Sequence, residues 1–206
     1  EWQVYAWLYI VQQLHPGAPE WWVTRVKARW FVLFHAAVFR FSDGTRVKQS
    51  GIGIMKSGCL LTLALNSVGQ LLIHALACFD LDISPWNNVP LCMGDDTIQK
   101  PFPEMFDYVD SLNKFCLVKE AEYTEGYLEF IGFLFTEKGF VPAYWQKHLY
   151  QLRHMDTKVE RETLINFQVL WAYDPVMLSL IREMIFSIDP TLVLTEQMLS
   201  SIVDSS

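Results

Sequence analysis

Apolar residues recur at the three-to-four-residue spacing of amphipathic helices in the first part of this chain. This spacing predicts one helix over residues 2–14 and a longer one from about Glu20 to Phe39. The prolines and glycine of the intervening segment, residues 15–19, end the first helix. The aromatic residues of the second segment are predicted to lie in a core.

Short apolar runs separated by turn residues predict β-hairpins. Asp43-Gly44 favours the positive φ angles of a tight turn, so residues 40–47 are predicted to form a hairpin. Two short strands are predicted on either side of Gly94-Asp95-Asp96. A third hairpin is predicted from residues 127–135 and 139–142.

The segment of residues 59–79 carries no charge and is long enough to cross a bilayer. Five polar residues recur through it: Thr62, Asn66, Ser67, Gln70 and His74. Because each of these would need a partner in lipid, we predict instead a helix buried in a protein core, with a polar face toward a site. No transmembrane segment is expected.

The remaining patterns are mostly helical, apart from a strand predicted at residues 115–118. A helix is predicted from Pro103 to Lys114. Residues 157–160 match a capping box, Asp174-Pro175 matches a capped helix start, and residues 200–206 are predicted to be a frayed tail. Together these elements predict an α+β fold, in which a small antiparallel sheet, centred on the Gly-Asp-Asp hairpin, packs against long helices.

Composition narrows the class of protein. The 206 residues are 51% hydrophobic and 15% aromatic, which supplies a core and argues against disorder. The four cysteines form no CxxC pair, so neither a zinc site nor a disulfide framework is indicated, and a reduced, intracellular setting fits best. The chain begins without Met, signal peptide or helix cap, and we expect it to be an internal piece of a polyprotein or a long polymerase.

The net charge of −7 does not favour nucleic-acid binding, but the charge is unevenly distributed. From Arg25 to Lys56 one acid, Asp43, stands among seven basic residues, a local charge of +6. The seven are Arg25, Lys27, Arg29, Arg40, Arg46, Lys48 and Lys56. This segment is a candidate phosphate-facing stripe, although its first three residues alone fit a solvated helix face better.

The adjacent carboxylates of Asp95 and Asp96 are the first candidate for chemistry. Mg²⁺ prefers oxygen ligands, and enzymes of phosphoryl transfer hold two such ions with carboxylates. A turn at Gly94 can bring both side chains near one site, because glycine allows the bend. The apolar flanks indicate an exposed tip on a buried hairpin, although such triplets also occur in solvated turns.

Residues 56–67 supply a second candidate. Ser57 and Gly58 lie in a glycine-rich loop whose backbone can approach a ligand closely. Thr62 and Asn66 are four residues apart and share one helix face, where they can hydrogen-bond a ribose 2′-hydroxyl. Local capping or packing would explain either residue alone but not the whole pattern.

These patterns resemble the viral RNA-dependent RNA polymerases of positive-strand RNA viruses. The string Ser-Gly-x-x-x-Thr-x-x-x-Asn-Ser, at Ser57, Gly58, Thr62, Asn66 and Ser67, is similar to motif B, and Met-Gly-Asp-Asp is similar to motif C. Within that class the chain is most similar to the sobemovirus and polerovirus group. The resemblance implies a polymerase palm in which Asp95 and Asp96 bind Mg²⁺, or Mn²⁺. It places Ser57 and Gly58 near template and nucleotide, and Asn66, supported by Thr62, at the sugar.

The resemblance extends downstream. The helix from Pro103 and the residues after it are similar to motif D, which implies a lysine that protonates the pyrophosphate leaving group. Lys119 is the first choice and Lys114 the alternative. Residues 130–149 resemble motif E, the primer-gripping hairpin. The implied domains are a palm fragment with motifs B to E over residues 1–155 and the helical start of a thumb over residues 156–206.

Motif A of this family supplies a further metal-binding Asp, and this chain has no counterpart, because Asp43, its first Asp, lies on a hairpin turn. We expect motif A and the fingers to precede Glu1 in the same polyprotein, and the fragment alone to be inactive. The partners implied by the resemblance are an RNA template and nascent strand, nucleoside triphosphates and other replicase proteins. The implied location is a replication complex in the host cytoplasm.

Two other functions stay open. A reverse transcriptase shares the palm, but such enzymes usually carry an aromatic and a variable residue before the two Asp and lack the Thr62 and Asn66 pattern. A catalytically inactive polymerase-like domain would bind only RNA or a replication partner. Dependence on metal separates this last function from catalysis.

Overall fold

The structure is a computed structural model that describes residues 1–204. Over these residues it contains eight α-helices and small antiparallel sheets, which confirms the mixed helix and sheet content predicted from the sequence. The chain divides into two compact units, Glu1–Ala121 and Glu122–Ser206. The predicted division at residue 155 concerns a palm and a thumb, and it stays a prediction.

Seven of the eight helices and strands of the first unit lie at about their predicted positions, and the eighth, the second helix, was predicted too long. Its elements are α1 (Trp2–Gln13), α2 (Glu20–Phe34), β1 (Val38–Arg40), β2 (Arg46–Lys48), α3 (Thr62–Asp80), β3 (Leu91–Met93), β4 (Asp96–Ile98) and α4 (Met105–Leu112). The second helix ends at Phe34 rather than near Phe39, because residues 38–40 pair with β2 instead.

The first core of this unit joins α1, α2 and the start of α3. Its buried residues are Val4, Trp7, Trp30, Phe34 and Leu65. The Trp30 indole Nε1 donates a hydrogen bond to the Val4 carbonyl oxygen at 2.9 Å, which satisfies a polar group that burial would otherwise penalise. Gly69 lets α3 approach α1, since a Cβ at this position would lie 3.2 Å from the Trp7 ring.

His74 connects α3 to α4 and to the loop before β3. Its Nε2 donates to the Pro85 carbonyl oxygen at 2.9 Å, and its Nδ1 accepts from the Tyr108 hydroxyl at 2.8 Å. Ala77 and Cys78 complete this second buried cluster. The polar residues of α3 therefore do not all face one site, because His74 is buried and its hydrogen bonds lie within the core.

Helix α3 is the described helix that is long and apolar enough to cross a membrane. A single such helix is weak evidence for a span. It packs against α1, α4 and β3, as the predicted core helix should, although only 33% of its apolar stretch is buried. This arrangement is consistent with the prediction of no transmembrane segment.

The second unit places a three-stranded sheet before four helices. Its elements are β5 (Leu128–Phe130), β6 (Phe133–Thr136), β7 (Gly139–Pro142), α5 (Trp145–Arg153), α6 (Glu160–Leu170), α7 (Pro175–Ile188), a 3₁₀ turn (Pro190–Leu192) and α8 (Glu196–Val203). The core contains Leu152, Leu164, Phe167, Trp171, Ile181 and Ile185. Buried Gln168 bonds to Leu192 and Leu194, which ties the 3₁₀ turn to α6.

The predicted sheet centred on the Gly-Asp-Asp hairpin is wrong. Strands β3 and β4 pair only with each other, and β1–β2 and β5–β6–β7 are separate sheets. The predicted strand over residues 127–135 is two strands, because Ile131 and Gly132 adopt positive φ angles of 49° and 79° and form a tight turn. The bend from β6 to β7 lies where it was predicted.

Local corrections follow from backbone hydrogen bonds. Residues 115–118 form no strand, because the Phe115 and Cys116 amides bond back to the last turn of α4. The capping box at residues 157–160 is wrong, since Val159 stands at the cap without a side-chain bond.

The start of α7 is confirmed: the Asp174 carboxylate accepts from the amides of Val176 and Met177. The tail prediction is wrong as far as Val203, because Leu199 and Val203 are buried in α8, while residues 205–206 lie outside the described part.

Candidate active site on the β3–β4 turn

The two candidate carboxylates lie on a two-residue hairpin turn. Met93 pairs with Asp96, so Gly94 and Asp95 form the loop. Gly94 has a φ of 66°, a left-handed conformation that favours glycine at the first position of such a turn. Asp95 is therefore at the tip and Asp96 opens β4, and both side chains are exposed. The predicted exposed tip is present, but the predicted burial of the hairpin is wrong, because Leu91 and Met93 are exposed.

Ser67 of α3 holds this turn. Its hydroxyl Oγ accepts a hydrogen bond from the buried Gly94 amide at 2.8 Å and donates to the Leu63 carbonyl oxygen at 2.9 Å. A Cβ on Gly94 would lie 3.5 Å from Leu63 Cδ1, so the turn also packs on the helix. The structure thus brings together the two segments that the sequence singled out, residues 57–67 and residues 94–96.

The loop before α3 is closed by Thr62. Its hydroxyl donates to the Lys56 carbonyl oxygen at 2.6 Å, which leaves the oxygen lone pairs as acceptors. Ser57 and Gly58 lie in an exposed turn within this loop, and Gly58 has a φ of 81°. The structure therefore shows a local role for Thr62, and its predicted contact with a sugar stays a prediction.

Asn66 lies one helical turn beyond Thr62 and is half-buried. Within residues 1–204 its side-chain amide makes no hydrogen bond, so both its donor and its acceptor groups are available to a ligand. Asn66 immediately precedes Ser67, the residue that holds the Gly94 turn. The predicted sugar-contacting residue is thus the chain neighbour of the residue that holds the turn with the predicted metal ligands.

The two candidate lysines differ in their surroundings. Lys114 Nζ lies 2.5 Å from an Asp80 carboxylate oxygen, which also accepts from the Ser111 hydroxyl at 2.7 Å. Both bonds lower the pKa of Asp80, and the bond from Lys114 has the larger effect. Lys119 lies in coil, exposed, and has no side-chain partner among the described residues. Of the two lysines, Lys119 is the one without an ion pair in the described part of the chain. The strand predicted immediately before it, at residues 115–118, is absent.

The predicted basic stripe loses one member. Lys56 Nζ donates to Leu33 O, to Gln49 Oε1 at 2.6 Å and to Ile54 O at 2.7 Å. Burial lowers the pKa of Lys56, and its ammonium lies over the Phe34 ring. Lys56 therefore secures the fold and does not face a phosphate. Sequence reasoning missed Gln49, because a lone glutamine beside a hairpin carries no signal of burial.

The donor set at the turn fits part of a magnesium site. Asp95 and Asp96 offer exposed carboxylate oxygens, the ligand type that Mg²⁺ prefers. Over residues 1–204 there is no group of three or more His, Cys, Asp or Glu side chains that could hold a metal ion. A two-ion site would need at least one more carboxylate beside this pair.

Two clefts in the structure lie elsewhere. One of about 270 Å³ opens at the other end of the β3–β4 hairpin, between Asn87 and Lys100, and one of about 370 Å³ lies in the second unit. Neither is lined by Asp95 or Asp96. Both carboxylates are exposed to solvent.

Comparisons of this chain with protein-family models, with curated proteins and with solved structures found no match.

Proposed function

We propose that this chain is part of the palm of an RNA-directed RNA polymerase of a positive-strand RNA virus, a template-dependent nucleotidyltransferase. The observation that carries the proposal is the hydrogen bond from the Gly94 amide to Ser67. It joins Ser67, which ends the Ser-Gly-x-x-x-Thr-x-x-x-Asn-Ser string and lies in α3, to the turn that bears Gly-Asp-Asp. The two stretches that resemble motifs B and C thus meet through residues that are 27 positions apart in the chain, which supports the proposal.

Each residue then has a part in nucleotidyl transfer. Asp95 and Asp96 hold Mg²⁺, or Mn²⁺, and a bound ion supplies activation of the attacking hydroxyl and neutralisation of the triphosphate. Asn66, with Thr62 as an acceptor, contacts the ribose 2′-hydroxyl. Ser57 and Gly58 approach the template and the incoming nucleotide through the exposed turn.

The remaining assignments belong to the same proposal. Lys119, exposed and unpaired within the described chain, protonates the leaving pyrophosphate as general acid. The third carboxylate comes from a motif A segment that, with the fingers, lies elsewhere in the same polyprotein. The sheet and helices of the second unit supply motif E and the start of the thumb. The protein works with template, nascent strand, nucleoside triphosphates and other replicase proteins, in a replication complex in the host cytoplasm.

One observation favours a second function, that of a catalytically inactive polymerase-like RNA-binding domain. Only two carboxylates stand at the turn, and no third acidic group joins them among residues 1–204. A domain of this kind would bind RNA without metal.

Synthesis by the polyprotein region that contains this chain tests the proposal. We expect Asp95→Asn or Asp96→Asn to lower Mg²⁺-dependent NTP incorporation at least about a hundredfold, because a metal ion contributes several kcal/mol to the transition state. Asp107→Asn and Asp110→Asn are matched controls, since both are exposed carboxylates of α4 in the same unit. Full activity in the Asp95→Asn enzyme would overturn the catalytic assignment, and a preference for dNTP would indicate a reverse transcriptase.

A further inference from the structure

The β1–β2 hairpin collects three cations on one exposed face. Arg40 pairs with Arg46, and Val38 with Lys48. Because side chains alternate along a strand, these four residues point to the same side, and all four are exposed. Three residues of the basic stripe predicted from the sequence thus form a compact cationic face on this hairpin.

The fold itself does not use this charge. Like charges directly opposite on neighbouring strands are destabilising, and Arg40 stands opposite Arg46. Within residues 1–204 none of the three cations has an ion pair or a hydrogen bond from its side chain. The nearby acid, Asp43, is engaged in the turn, where its carboxylate accepts from the Thr45 amide at 2.8 Å and this bond lowers the pKa of Asp43.

The hairpin is nevertheless firmly held. A hairpin of three-residue strands is only marginally stable alone. Here the backbone N–H of Gln49 extends the pairing by donating to the Ala37 carbonyl oxygen at 2.8 Å. The buried Gln49 side chain donates to the Phe34 carbonyl oxygen at 2.7 Å and accepts from Lys56 at 2.6 Å. The cations therefore stand on a fixed support, so little order has to be gained when they bind a partner.

We propose that this face, Arg40, Arg46 and Lys48, binds the phosphate backbone of RNA without regard to base sequence. Arginine matches the geometry of a phosphate with paired donors. The face carries one apolar residue, Val38, and no aromatic ring on which a base could stack. Attachment to a membrane surface takes apolar insertion in addition to charge, and this face offers little. The choice of RNA rests on the proposed function.

Salt-dependent binding to single-stranded RNA tests this directly. The probe is a labelled, mixed-sequence RNA of about 20 nucleotides, longer than the ~4–16 that a single-strand site occupies. Binding to this 206-residue chain is followed by anisotropy in EDTA, from about 50 to 200 mM salt. For Arg40→Gln/Arg46→Gln/Lys48→Gln we expect the slope of log K against log salt to fall by about 2, and affinity to fall about tenfold or more, since each phosphate contact contributes about 0.7 to the slope.

Lys138→Gln/Lys147→Gln/Lys158→Gln is the matched control. It removes the same charge from exposed positions of the second unit, and we expect the slope to stay within about 0.5 of the unaltered chain. Single Arg46→Gln and Lys48→Gln variants, each expected to lower the slope by about 0.7, serve if the triple variant fails to fold. Thermal unfolding verifies the fold of each variant.

Three results would overturn the proposal. The first is no RNA binding by the unaltered chain at the lowest salt, and the second is an equal loss of RNA affinity in the hairpin and control variants. The third is a hairpin variant that loses binding to phosphatidylserine vesicles but keeps its binding to RNA. The assay contains no metal, so RNA binding in it does not depend on the ions that Asp95 and Asp96 are proposed to hold. Failure here therefore leaves the polymerase proposal standing, and failure of the synthesis test leaves this one standing.

Discussion

Ser67 makes the shorter of two side-chain hydrogen bonds from α3 to the Gly94 turn, the other being from Gln70 Nε2 to the Asp95 carbonyl oxygen at 3.5 Å. Its hydroxyl both accepts from the turn and donates to the helix backbone. Replacement would leave the buried Gly94 amide without a partner, which costs more than the net value of an ordinary hydrogen bond. The residue is therefore a positioning residue for Asp95 and Asp96, with no contact of its own to substrate in the proposed mechanism.

We expect Ser67→Ala to lower the free energy of unfolding by about 1–2 kcal/mol, the cost of an unsatisfied buried donor. Ser67→Thr keeps the hydroxyl and should recover most of that loss. Urea denaturation measures both. In the polymerase, Ser67→Ala should raise the Mg²⁺ concentration needed for half-maximal synthesis, whereas a purely structural residue would lower the yield of folded enzyme and leave this value unchanged.

Single residues also show where local rules fail as predictors. Asp174 was recognisable as a helix cap from its neighbour Pro175 alone, and the structure bears this out. Ile131 was not recognisable as a turn residue, because a β-branched side chain at a φ of 49° is disfavoured by its own sterics. The pairing of Phe130 with Phe133 leaves a two-residue turn that requires positive φ at both positions. Lys56 was missed for a similar reason, since lysines are seldom turned inward.

At the scale of elements, the turn between β6 and β7 fits closely against the segment between α6 and α7. Gly139 has a φ of 126°, and a Cβ there would lie 2.6 Å from the Tyr173 ring. The Phe140 and Tyr173 rings meet edge to face, with centroids 5.2 Å apart. Glycine is thus required twice at this position, by backbone conformation and by space.

Gly139→Ala should therefore destabilise the chain more than an ordinary glycine substitution. Gly126→Ala is the control, because Gly126 also has a positive φ, 78°, but nothing within 4 Å of its Cβ position. We expect about 1 kcal/mol for the control, from backbone strain alone, and about 1–3 kcal/mol more for Gly139→Ala, from overpacking. Equal losses in urea denaturation would show that Tyr173 moves aside at no cost.

Helix α5 packs on α6 through His148, whose ring lies against Phe167 and Trp171. Burial, and then the charge of Lys147, lower the pKa of His148. A histidine with a lowered pKa binds its proton more readily in the unfolded chain. Its protonation therefore favours unfolding as the pH falls through its ordinary pKa of about 6.5.

From this we expect the free energy of unfolding of the unaltered chain to decline as the pH falls from about 7 to 5. In His148→Phe the decline should be smaller, because the contribution of His148 is removed. The exposed His154, which immediately follows the same helix, provides the comparison: His154→Gln should keep the pH dependence. The measurement is the urea midpoint at each pH. A midpoint in His148→Phe that follows the unaltered chain at every pH would contradict the assignment.

The same scale shows which contacts no local pattern reveals. The β1–β2 and β3–β4 hairpins were predictable from their turn residues, and α1 from its apolar spacing. That Ser67 meets Gly94 was not, because the contact spans 27 residues and depends on how α3 packs on β3. The separate small sheets were missed because strand pairing beyond a hairpin is decided by tertiary packing.

Over the whole molecule, charge is divided between the two units. The first, Glu1–Ala121, has 10 basic and 11 acidic residues, and the second, Glu122–Ser206, has 6 and 12. The net charge of −7 is thus mostly that of the second unit, at −6. The overall charge, which argued against RNA as a partner, says little about the unit that carries the cationic face and the carboxylate turn.

The support of the β1–β2 hairpin has a practical consequence for handling this protein. Gln49 and Lys56 hold the hairpin through short hydrogen bonds to an amide oxygen and backbone carbonyls, in a partly buried setting that dissolved ions screen weakly. The outward cations act through charge in water, which ions screen strongly. If the proposed RNA binding holds, we expect a high-salt wash to remove bound nucleic acid during purification while the hairpin keeps its structure, and dialysis to low salt to restore binding.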